Sequence, residues 1–264
     1  MNGLVSIITP IYNSSKYIAE AIISVQQQTY TNWEHIIIDD ASSDSSTEIV
    51  EGFAAKDSRV RFYKHSENKG TAFCRNFATE MATGKYIAFL DSDDLWVPEK
   101  LKIQLDFMEY YQCDVSFSSY VQIDKNRQPL HKRIIAKKSL SYKKQHSNNY
   151  IGNLTGMYNV QKLGKIMAPK IRKRQDWAVW LEAIKRSGKP AMGIQQDLAY
   201  YCVRKGSVSS NKWKLVKYNF QFYYRYLNYS WPKSVYFLLI FFWEYFFERP
   251  KFIERVVCRN DLLP

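Results

Sequence analysis

Two carboxylates in the sequence are spaced so that they could bind one metal ion together. Asp91 and Asp93 stand one residue apart, directly after the apolar residues 86–90, and Asp94 follows them. If residues 86–90 form a strand, both side chains project into one cleft as hard oxygen ligands suited to Mg²⁺ or Mn²⁺. A cation held by two side chains keeps open positions for phosphate oxygens. The alternative is an acidic turn that caps the helix expected from Pro98, and Asp94 is expected to brace this loop.

A second acidic pair, Asp39 and Asp40, follows the apolar residues 36–38. Neighbouring residues in a strand point in different directions. One carboxylate can therefore brace the loop while the other accepts a hydrogen bond from a ligand N–H, such as that of a uracil ring. A strand that ends in Asp is ordinary, so this pair gains meaning only in combination with other signals.

These acids are expected to lie together because the elements before them alternate between strand and helix. Short apolar runs predict strands, and segments with apolar residues at helical spacing lie between them. The predicted strands cover residues 4–9, 36–38, 60–63, 86–90 and 115–120. The alternation predicts an α/β fold with a mixed, mainly parallel sheet flanked by helices. Ligands of such sheets bind beyond the carboxyl ends of the strands, which selects Thr9, Asp39, Asp40 and Asp91.

The positive charge is concentrated in one tract. The net charge is +13, and residues 125–174 hold fourteen Lys and Arg with no acid, so the remainder carries −1. Such a tract favours a local anionic partner over nucleic acid: a diphosphate, an anionic membrane or an acidic acceptor. The alternative is a solvated face. From residue 121 to about 175 the pattern is irregular, and regular structure is expected again as a helix from Asp176 and a strand at 199–203.

Cysteine and histidine usage excludes several classes of site. The four Cys stand far apart without any CxxC pair, which argues against a thiolate metal site or a disulfide framework and suits a reducing cytosol. The four His are too scattered for a dyad, and His35 is expected to be a core residue. The chain begins without a signal-peptide pattern, so we expect the mature protein to begin where the sequence does.

The C-terminal segment combines aromatic and basic residues. Residues 234–247 are fourteen residues, nearly all apolar apart from Glu244, and Lys and Arg flank them. A membrane-spanning helix needs about 20 residues, whereas this composition is typical of helices that lie in a membrane interface. The sequence predicts peripheral attachment to a membrane. The alternative is a helix packed in the core or in a homodimer.

Four segments, taken together, resemble glycosyltransferase family 2. They are residues 5–13 (VSIITPIYN), 37–44 (IIDDASSD), 68–76 (NKGTAFCRN) and 88–94 (AFLDSDD). Their shared order and spacing over about 90 residues is more specific than any one motif. The resemblance implies the GT-A fold, a nucleotide-diphospho-sugar donor, a divalent metal (Mn²⁺ or Mg²⁺) and inversion at the anomeric carbon.

The resemblance also implies roles for individual residues. Asp40 would contact uracil with Asp39 as its structural neighbour, and Arg75 would lie near the base or the diphosphate. Asp93 is the surest metal contact, and Asp91 lies near the ribose or the metal. The full nucleotide-binding set is Thr9, Pro10, Tyr12, Asp39, Asp40, Asn68, Gly70, Arg75, Asp91 and Ser92.

Inverting transfer needs a base to take the proton of the acceptor hydroxyl. In the family this base is the Asp of a Glu-Asp pair that opens a late helix. The matching pair here is Gln175-Asp176, so the first acid is replaced and Asp176 is the expected base. The alternative is an acid that merely favours the helix N-terminus. Arg204 and Ser207 match loosely a diphosphate contact, and the alternative there is a plain glycine turn.

The expected organisation is a GT-A catalytic domain over residues 1–210 followed by a helical extension over 211–264. The catalytic domain divides into a nucleotide-binding half, about 1–120, and an acceptor half, about 121–210. Residues 153–180 and 207–214 look like enzymes that build bacterial surface polysaccharides, teichuronic acid or capsule. This implies transfer from a UDP-linked sugar to a glycan or polyprenyl-diphosphate-linked acceptor, in the cytoplasm at the inner face of the plasma membrane.

Two other functions fit less well. A sugar-nucleotide pyrophosphorylase needs a Gly-rich basic loop after the first strand, where this chain has residues 10–13, PIYN. A nucleic-acid binder would leave the strand-end acids unexplained, and those acids would repel a phosphate backbone.

Overall fold

The computed structural model describes residues 3–204 and 212–256, with no side chains described for 212–215. Its strands are β1 Val5–Ile11, β2 Trp33–Asp39, β3 Val60–Lys64, β4 Tyr86–Phe89, β5 Leu95–Trp96, β6 Val115–Asp124, β7 Pro129–Ile134, β8 Ser139–Leu140, β9 Met157–Asn159, β10 Ala191–Val203 and β11 Ile253–Arg255. Its α-helices are α1 Ile18–Gln26, α2 Ser46–Ala54, α3 Thr71–Met81, α4 Lys100–Tyr110, α5 Tyr142–Ser147, α6 Val160–Leu163, α7 Gln175–Ser187, α8 Lys212–Gln221 and α9 Trp231–Trp243. Two π-helical turns, Phe222–Tyr226 and Glu244–Glu248, follow α8 and α9.

The expected α/β fold is confirmed. One sheet runs in the order β11-β7-β6-β9-β4-β1-β2-β3, and β10 pairs with β6 off this path. The strands β4, β1, β2 and β3 are parallel, so their carboxyl ends share one edge. β1 and β2 are buried along nearly their whole length, and each contains a run of isoleucines between buried polar residues.

Apolar side chains fill both faces of this sheet. On one face Val5, Ile7 and Trp33 pack with residues of α1 and α4. On the other face Ile8 and Ile36 pack with residues of α3 and α7. Since full burial of one large apolar side chain contributes about 1.5–3 kcal/mol, these two layers fix the sheet edge that carries the acids.

The second strand is longer than the three residues predicted. It begins at Trp33 because two polar residues ahead of the apolar run are buried with partners. Glu34 accepts hydrogen bonds from Ser6 and Arg61, and His35 is hydrogen-bonded to Thr9. Because Glu34 and His35 are polar, hydrophobicity alone does not identify the first part of this strand.

The tract 121–175 is more regular than its sequence pattern indicates. It holds β7, β8, β9, α5 and α6, and β9 lies inside the sheet between β4 and β6. Several cations of this tract form ion pairs with acids from outside it, which neither an anionic partner nor a solvated face predicts. The pairs are Arg127–Glu20, Arg133–Asp197, Lys144–Glu244 and Lys162–Asp114.

The C-terminal extension packs against α7 and then joins the sheet. Trp177 of α7 stacks on Phe222, with ring centroids 4.0 Å apart and an interplanar angle of 6°. Tyr223 and Phe241 complete this cluster. β11 then pairs antiparallel with β7. Across the described parts of the chain, the helices are all too short or too polar to cross a membrane.

Candidate active site

The loop after β4 is held in shape by Asp94. Its backbone N–H closes a turn onto the Asp91 carbonyl (3.0 Å), and its Oδ1 accepts a hydrogen bond from the Cys202 N–H in β10 (2.9 Å). Burial, reinforced by the charges of Asp93 and Asp91, raises the pKa of Asp94 well above its usual range. The prediction that Asp94 braces the loop is therefore confirmed.

Asp91 and Asp93 each face an arginine from another element. Asp91 Oδ1 lies 2.5 Å from Arg75 Nη2, and Asp93 Oδ2 lies 2.6 Å from Arg204 Nη2. Burial and the neighbouring charge of Asp91 raise the pKa of Asp93. The two carboxylates are thus close enough to repel one another, and positive charge from α3 and from the end of β10 converges on them.

The charges of both Asp91 and Asp176 act on Arg75. Burial would lower the pKa of Arg75, but the charges of Asp91 and then Asp176 raise it above its usual value. The Arg75 Nε is buried with no hydrogen-bond partner within the described parts of the chain. Both Arg75 and Asp176 line one small cleft, together with Asn76, Thr79, Phe89, Asn153, Ile166, Ala168, Gln175 and Val179. Arg75 therefore pairs with the strand-end acid Asp91 and also lies within electrostatic reach of the expected base, Asp176.

Asp176 is the acid in the first turn of α7. Its Oδ2 accepts a hydrogen bond from Asn149 Nδ2 (2.8 Å). The Gln175 amide donates to the Ile171 carbonyl (2.6 Å), so the residue that replaces the family's first acid ties down the preceding loop. Arg174, which precedes the helix, has a left-handed backbone with φ 69°. Such conformations in non-glycine residues are uncommon and concentrate at functional sites.

Both members of the second acidic pair organise backbone. Asp39 has no exposed surface and accepts hydrogen bonds from Ser42 and from Thr47 Oγ1 (2.7 Å). Asp40 accepts from the backbone N–H groups of Lys69 (2.7 Å) and Gly70 (2.8 Å). A carboxylate oxygen can accept a second hydrogen bond, so a uracil contact by Asp40 stays a prediction.

The other expected nucleotide contacts lie close to this edge, with one difference. Asn68 donates to the Asp40 carbonyl (3.2 Å), and Ser92 is hydrogen-bonded to Ser14 (2.9 Å). Pro10 is only partly buried, and Tyr12 is 53% exposed, so both can meet a ligand.

Thr9 differs from these residues. Its side chain is fully buried and its hydroxyl lies 2.8 Å from His35 Nε2, so it presents no surface to a ligand here and acts within the sheet. Burial lowers the pKa of His35 to about 3, as expected for a core histidine. Ser207, the second loose diphosphate candidate, lies outside the described residues.

Sequence reasoning missed two side chains that touch the site. Arg127 donates to the Asp93 carbonyl (2.7 Å) and pairs with Glu20. Asn149 holds Asp176, as described above. Arg127 belongs to the basic tract, which is a weak signal for it, whereas a lone Asn in an irregular segment carries none.

The acids fit a divalent cation that is shared with a ligand. Along the described ranges, 3–204 and 212–256, no three His, Cys, Asp or Glu side chains cluster as a metal cage. Asp91 and Asp93 form a two-carboxylate set whose mutual repulsion a cation would relieve. Their oxygens suit Mg²⁺ or Mn²⁺, with phosphate oxygens and water as the remaining ligands.

Comparisons of the sequence with known proteins show the family of this chain. The sequence pattern of glycosyl transferase family 2 matches residues 6–168. TuaG of Bacillus subtilis, a glycosyltransferase named for teichuronic acid biosynthesis, is 44% identical over 214 residues, which cover 81% of this chain and 84% of TuaG. The Escherichia coli UDP-Glc:alpha-D-GlcNAc-diphosphoundecaprenol beta-1,3-glucosyltransferase WfgD is 36% identical over 214 residues, covering 81% and 83%.

Solved structures with the same fold include two that hold a nucleotide-sugar. S. aureus TarS 1–349 in complex with UDP-GlcNAc has a TM-score of 0.71 at 22% identity and covers 92% of this chain and 73% of its own. The mannosyltransferase PcManGT from Pyrobaculum calidifontis, in complex with GDP-Man and Mn²⁺, has a TM-score of 0.68 at 15% identity, covering 94% and 71%. These likenesses confirm the GT-A fold. With the match over residues 6–168 and the identity to TuaG and WfgD, they lead to one conclusion: this chain belongs to glycosyltransferase family 2.

Proposed function

We propose that this glycosyltransferase moves a sugar from a UDP-linked donor, with inversion, to a lipid-linked acceptor in bacterial surface-polysaccharide synthesis. The observation that carries the proposal is that Arg75 pairs with Asp91 and lines one cleft with Asp176, whose charge also acts on it. The acids suited to a diphosphate-bound cation and the acid suited to deprotonating an acceptor thus share one arginine neighbour. The names of TuaG and WfgD support the polymer and the donor class.

The residues of this chain divide the reaction into two parts, one at the acceptor and one at the leaving diphosphate. Asp176 takes the proton from the acceptor hydroxyl as its oxygen attacks the anomeric carbon. Arg75 and Arg204 bring positive charge to the side where the diphosphate leaves. A divalent cation held by Asp91 and Asp93 would neutralise charge on the departing diphosphate. Asp40 and Tyr12 receive the nucleoside.

The direct test is a panel of UDP-, GDP- and dTDP-sugars with Mn²⁺ and an undecaprenyl-diphosphate-linked GlcNAc acceptor. Release of free nucleotide that requires the acceptor is the expected result, with a UDP-sugar preferred. The anomeric configuration of the product, read by NMR, reports inversion or retention. Release from none of these donors would contradict the proposal.

We also propose that the extension lies on the membrane that holds such an acceptor. Six large side chains around α9, each more than half exposed, form what we call the aromatic ridge: Trp231, Tyr236, Leu239, Trp243, Phe246 and Phe247. Exposed cations flank it, including Lys233 and Lys251. Aromatic and aliphatic groups beside Lys and Arg suit the interface of an anionic bilayer. A homodimer that buries the same ridge is the competing outcome.

A further inference from the structure

Glu244 is a buried acid on an otherwise apolar segment, and its partners connect it to the cleft. It is 7% exposed and belongs to the π-helical turn after α9. Lys144 Nζ donates to its Oε1 (2.7 Å), and the Tyr150 hydroxyl donates to its Oε2. Burial and this hydrogen bond raise the pKa of Tyr150 far above its usual range, so the phenol remains a donor. Placing an acid here would be costly without these two donors.

Asn148, two residues before Tyr150, is hydrogen-bonded to Arg249, which lies five residues after Glu244 in the C-terminal extension. Arg249 Nη1 donates to Asn148 Oδ1 (3.2 Å), and Asn148 has no exposed surface. Asn149 therefore lies between two residues that the segment Glu244–Arg249 holds. We call residues 148–150 the Asn149 loop.

Within this loop the orientation of the Asn149 amide is set by Gln145. The buried Gln145 side chain donates from Nε2 to Asn149 Oδ1 (2.9 Å) and accepts at Oε1 from the Tyr150 N–H (3.0 Å). Because the amide oxygen of Asn149 is occupied by a donor, its NH₂ group faces Asp176, where it donates to Oδ2. A chain of hydrogen bonds thus runs from Glu244 to the carboxylate of Asp176.

A second contact secures the helix end that carries this carboxylate. Trp177 Nε1 donates to the Gln145 carbonyl (2.6 Å), and its ring is enclosed by Phe222, Tyr223 and Phe241. The residue after Asp176 is therefore clamped between α5 and the C-terminal extension. Neither contact uses the aromatic ridge, so this role is separate from membrane binding.

We propose that the C-terminal extension positions the general base: Glu244 and Arg249 hold the Asn149 loop, and Asn149 orients the Asp176 carboxylate toward the acceptor. Asn149 and Glu244 are positioning residues, since neither is required to touch substrate. The hydrogen bond from Asn149 occupies Oδ2 and sets the plane of the carboxylate, so that Oδ1 takes the proton. This inference rests on the proposed role of Asp176.

The experiment is a double-mutant cycle on the transfer rate of the full chain. Asn149→Ala should lower kcat roughly tenfold, the scale of one hydrogen bond to a charged group, while KM for the donor stays within about twofold. Glu244→Gln should lower kcat by a smaller factor, roughly threefold to tenfold. The decisive result is that Glu244→Gln causes no further loss in the Asn149→Ala background, because coupled residues are not additive.

Glu182→Gln is the matched control, since it alters an ion-paired acid on α7 whose partner is Arg186, one turn along the same helix. Equal losses from Glu244→Gln in both backgrounds, with a matching fall in the midpoint of thermal unfolding, would assign it a purely structural role and overturn the inference. If Glu244→Gln does not fold, Tyr150→Phe replaces it in the cycle, because it removes only the hydroxyl that donates to Glu244.

The outcome for Asp176→Asn separates this inference from the function on which it rests. If Asp176→Asn is inactive but the cycle is additive, only the positioning role is wrong. If Asp176→Asn transfers sugar at the normal rate, the base assignment itself is wrong, whatever the cycle gives.

Discussion

At the scale of single residues, the acids at the strand ends divide into those that hydrogen-bond within the protein to shape a loop and those that face arginines. The Asp94 carboxylate accepts a hydrogen bond from the Cys202 N–H, and the Asp39 carboxylate accepts one from the Ser42 N–H in its own loop. Asp91 and Asp93 face arginines instead, an arrangement in which a ligand cation can compete for them. This difference supports the proposal that Asp91 and Asp93, rather than Asp94, hold the metal.

Asp93→Ala should therefore reduce metal-dependent transfer roughly a hundredfold or more, because charge stabilisation of a leaving group is worth several kcal/mol. Steady-state release of nucleotide over a Mn²⁺ titration measures this effect. The exposed acid of α4 provides a control: Asp106→Ala should leave both activity and the Mn²⁺ dependence unchanged. Full activity of Asp93→Ala at ordinary Mn²⁺ would remove the metal assignment.

Asp176→Asn tests the base independently of the metal. The amide keeps the size of the side chain but cannot take a proton, so kcat should fall roughly 10²- to 10⁴-fold, the usual contribution of a general base. Binding of the UDP-sugar, measured by calorimetry, should stay near normal. A variant that binds donor poorly would indicate that Asp176 serves the donor and not the acceptor.

The residue scale also shows the limit of sequence reasoning. Asp91, Asp93 and Asp176 were predicted because an acid at a strand end or helix start has a chemical signature and a family pattern. Asn149 and Arg127 reach the site through tertiary contacts across 27 and 34 residues, respectively. No sequence spacing predicts contacts of this kind. The family pattern also placed Thr9 beside the nucleoside. In the structure the Thr9 side chain is buried and hydrogen-bonded to His35 of the neighbouring strand.

At the scale of elements, the alternation of strand and helix over the first 120 residues was predictable because each unit has a uniform hydrophobic period. β9 was missed because three residues are too short to display a period. β10 was predicted only at 199–203, although it begins at Ala191, since register shifts interrupt its pairing with β6. Both strands pair with neighbours that lie far from them in the sequence, so a local pattern does not reveal them.

The aromatic ridge permits a prediction about one element. Changing Leu239 and Phe246 together to Glu should weaken binding to vesicles of phosphatidylethanolamine and phosphatidylglycerol more than tenfold, because burying each side chain contributes about 1.5–3 kcal/mol at most. Vesicle flotation measures this binding. Tyr110→Glu, which alters an 80% exposed aromatic on α4, is the matched control and should bind normally.

Vesicle binding that survives the double change would contradict membrane docking by this ridge. Sedimentation of the wild type and the double variant tests the competing outcome, a homodimer. A wild-type dimer that becomes monomeric in the variant would assign the ridge to self-association. A chain cut at residue 210 is a poorer test, because it removes Phe222 and Tyr223, which are buried against α7.

At the scale of the whole molecule, the C-terminal extension is part of the same structure as the sheet. The extension contributes β11 to the sheet edge and encloses Trp177, beside the proposed base. A change in composition near residue 210 predicts a boundary, but composition cannot report which surface the following helices cover. The fold thus places the aromatic ridge and the cleft on elements that share a core.

Two buried histidines, His35 in β2 and His146 in α5, make the free energy of unfolding depend on pH. Burial lowers the pKa of His35 to about 3, and burial together with the charge of Lys233 lowers the pKa of His146 to about 4. His146 is hydrogen-bonded to the Tyr229 hydroxyl and packs against Phe237, both in the extension. Both groups bind a proton more readily in the unfolded chain, where the pKa is near 6.5.

The free energy of unfolding should therefore fall as the pH drops from 7 to 5, since the unfolded state takes up more protons over that range. After allowance for partial solvent access, we expect roughly 1 kcal/mol from His146. Acids such as Asp44 and Asp57, whose pKa values are about 2, lose their contribution only at lower pH. Urea unfolding at the two pH values measures the slope, and His146→Gln should flatten it while His35 retains its share. An unchanged slope in His146→Gln would mean that this histidine is not buried as a neutral group between α5 and the C-terminal extension.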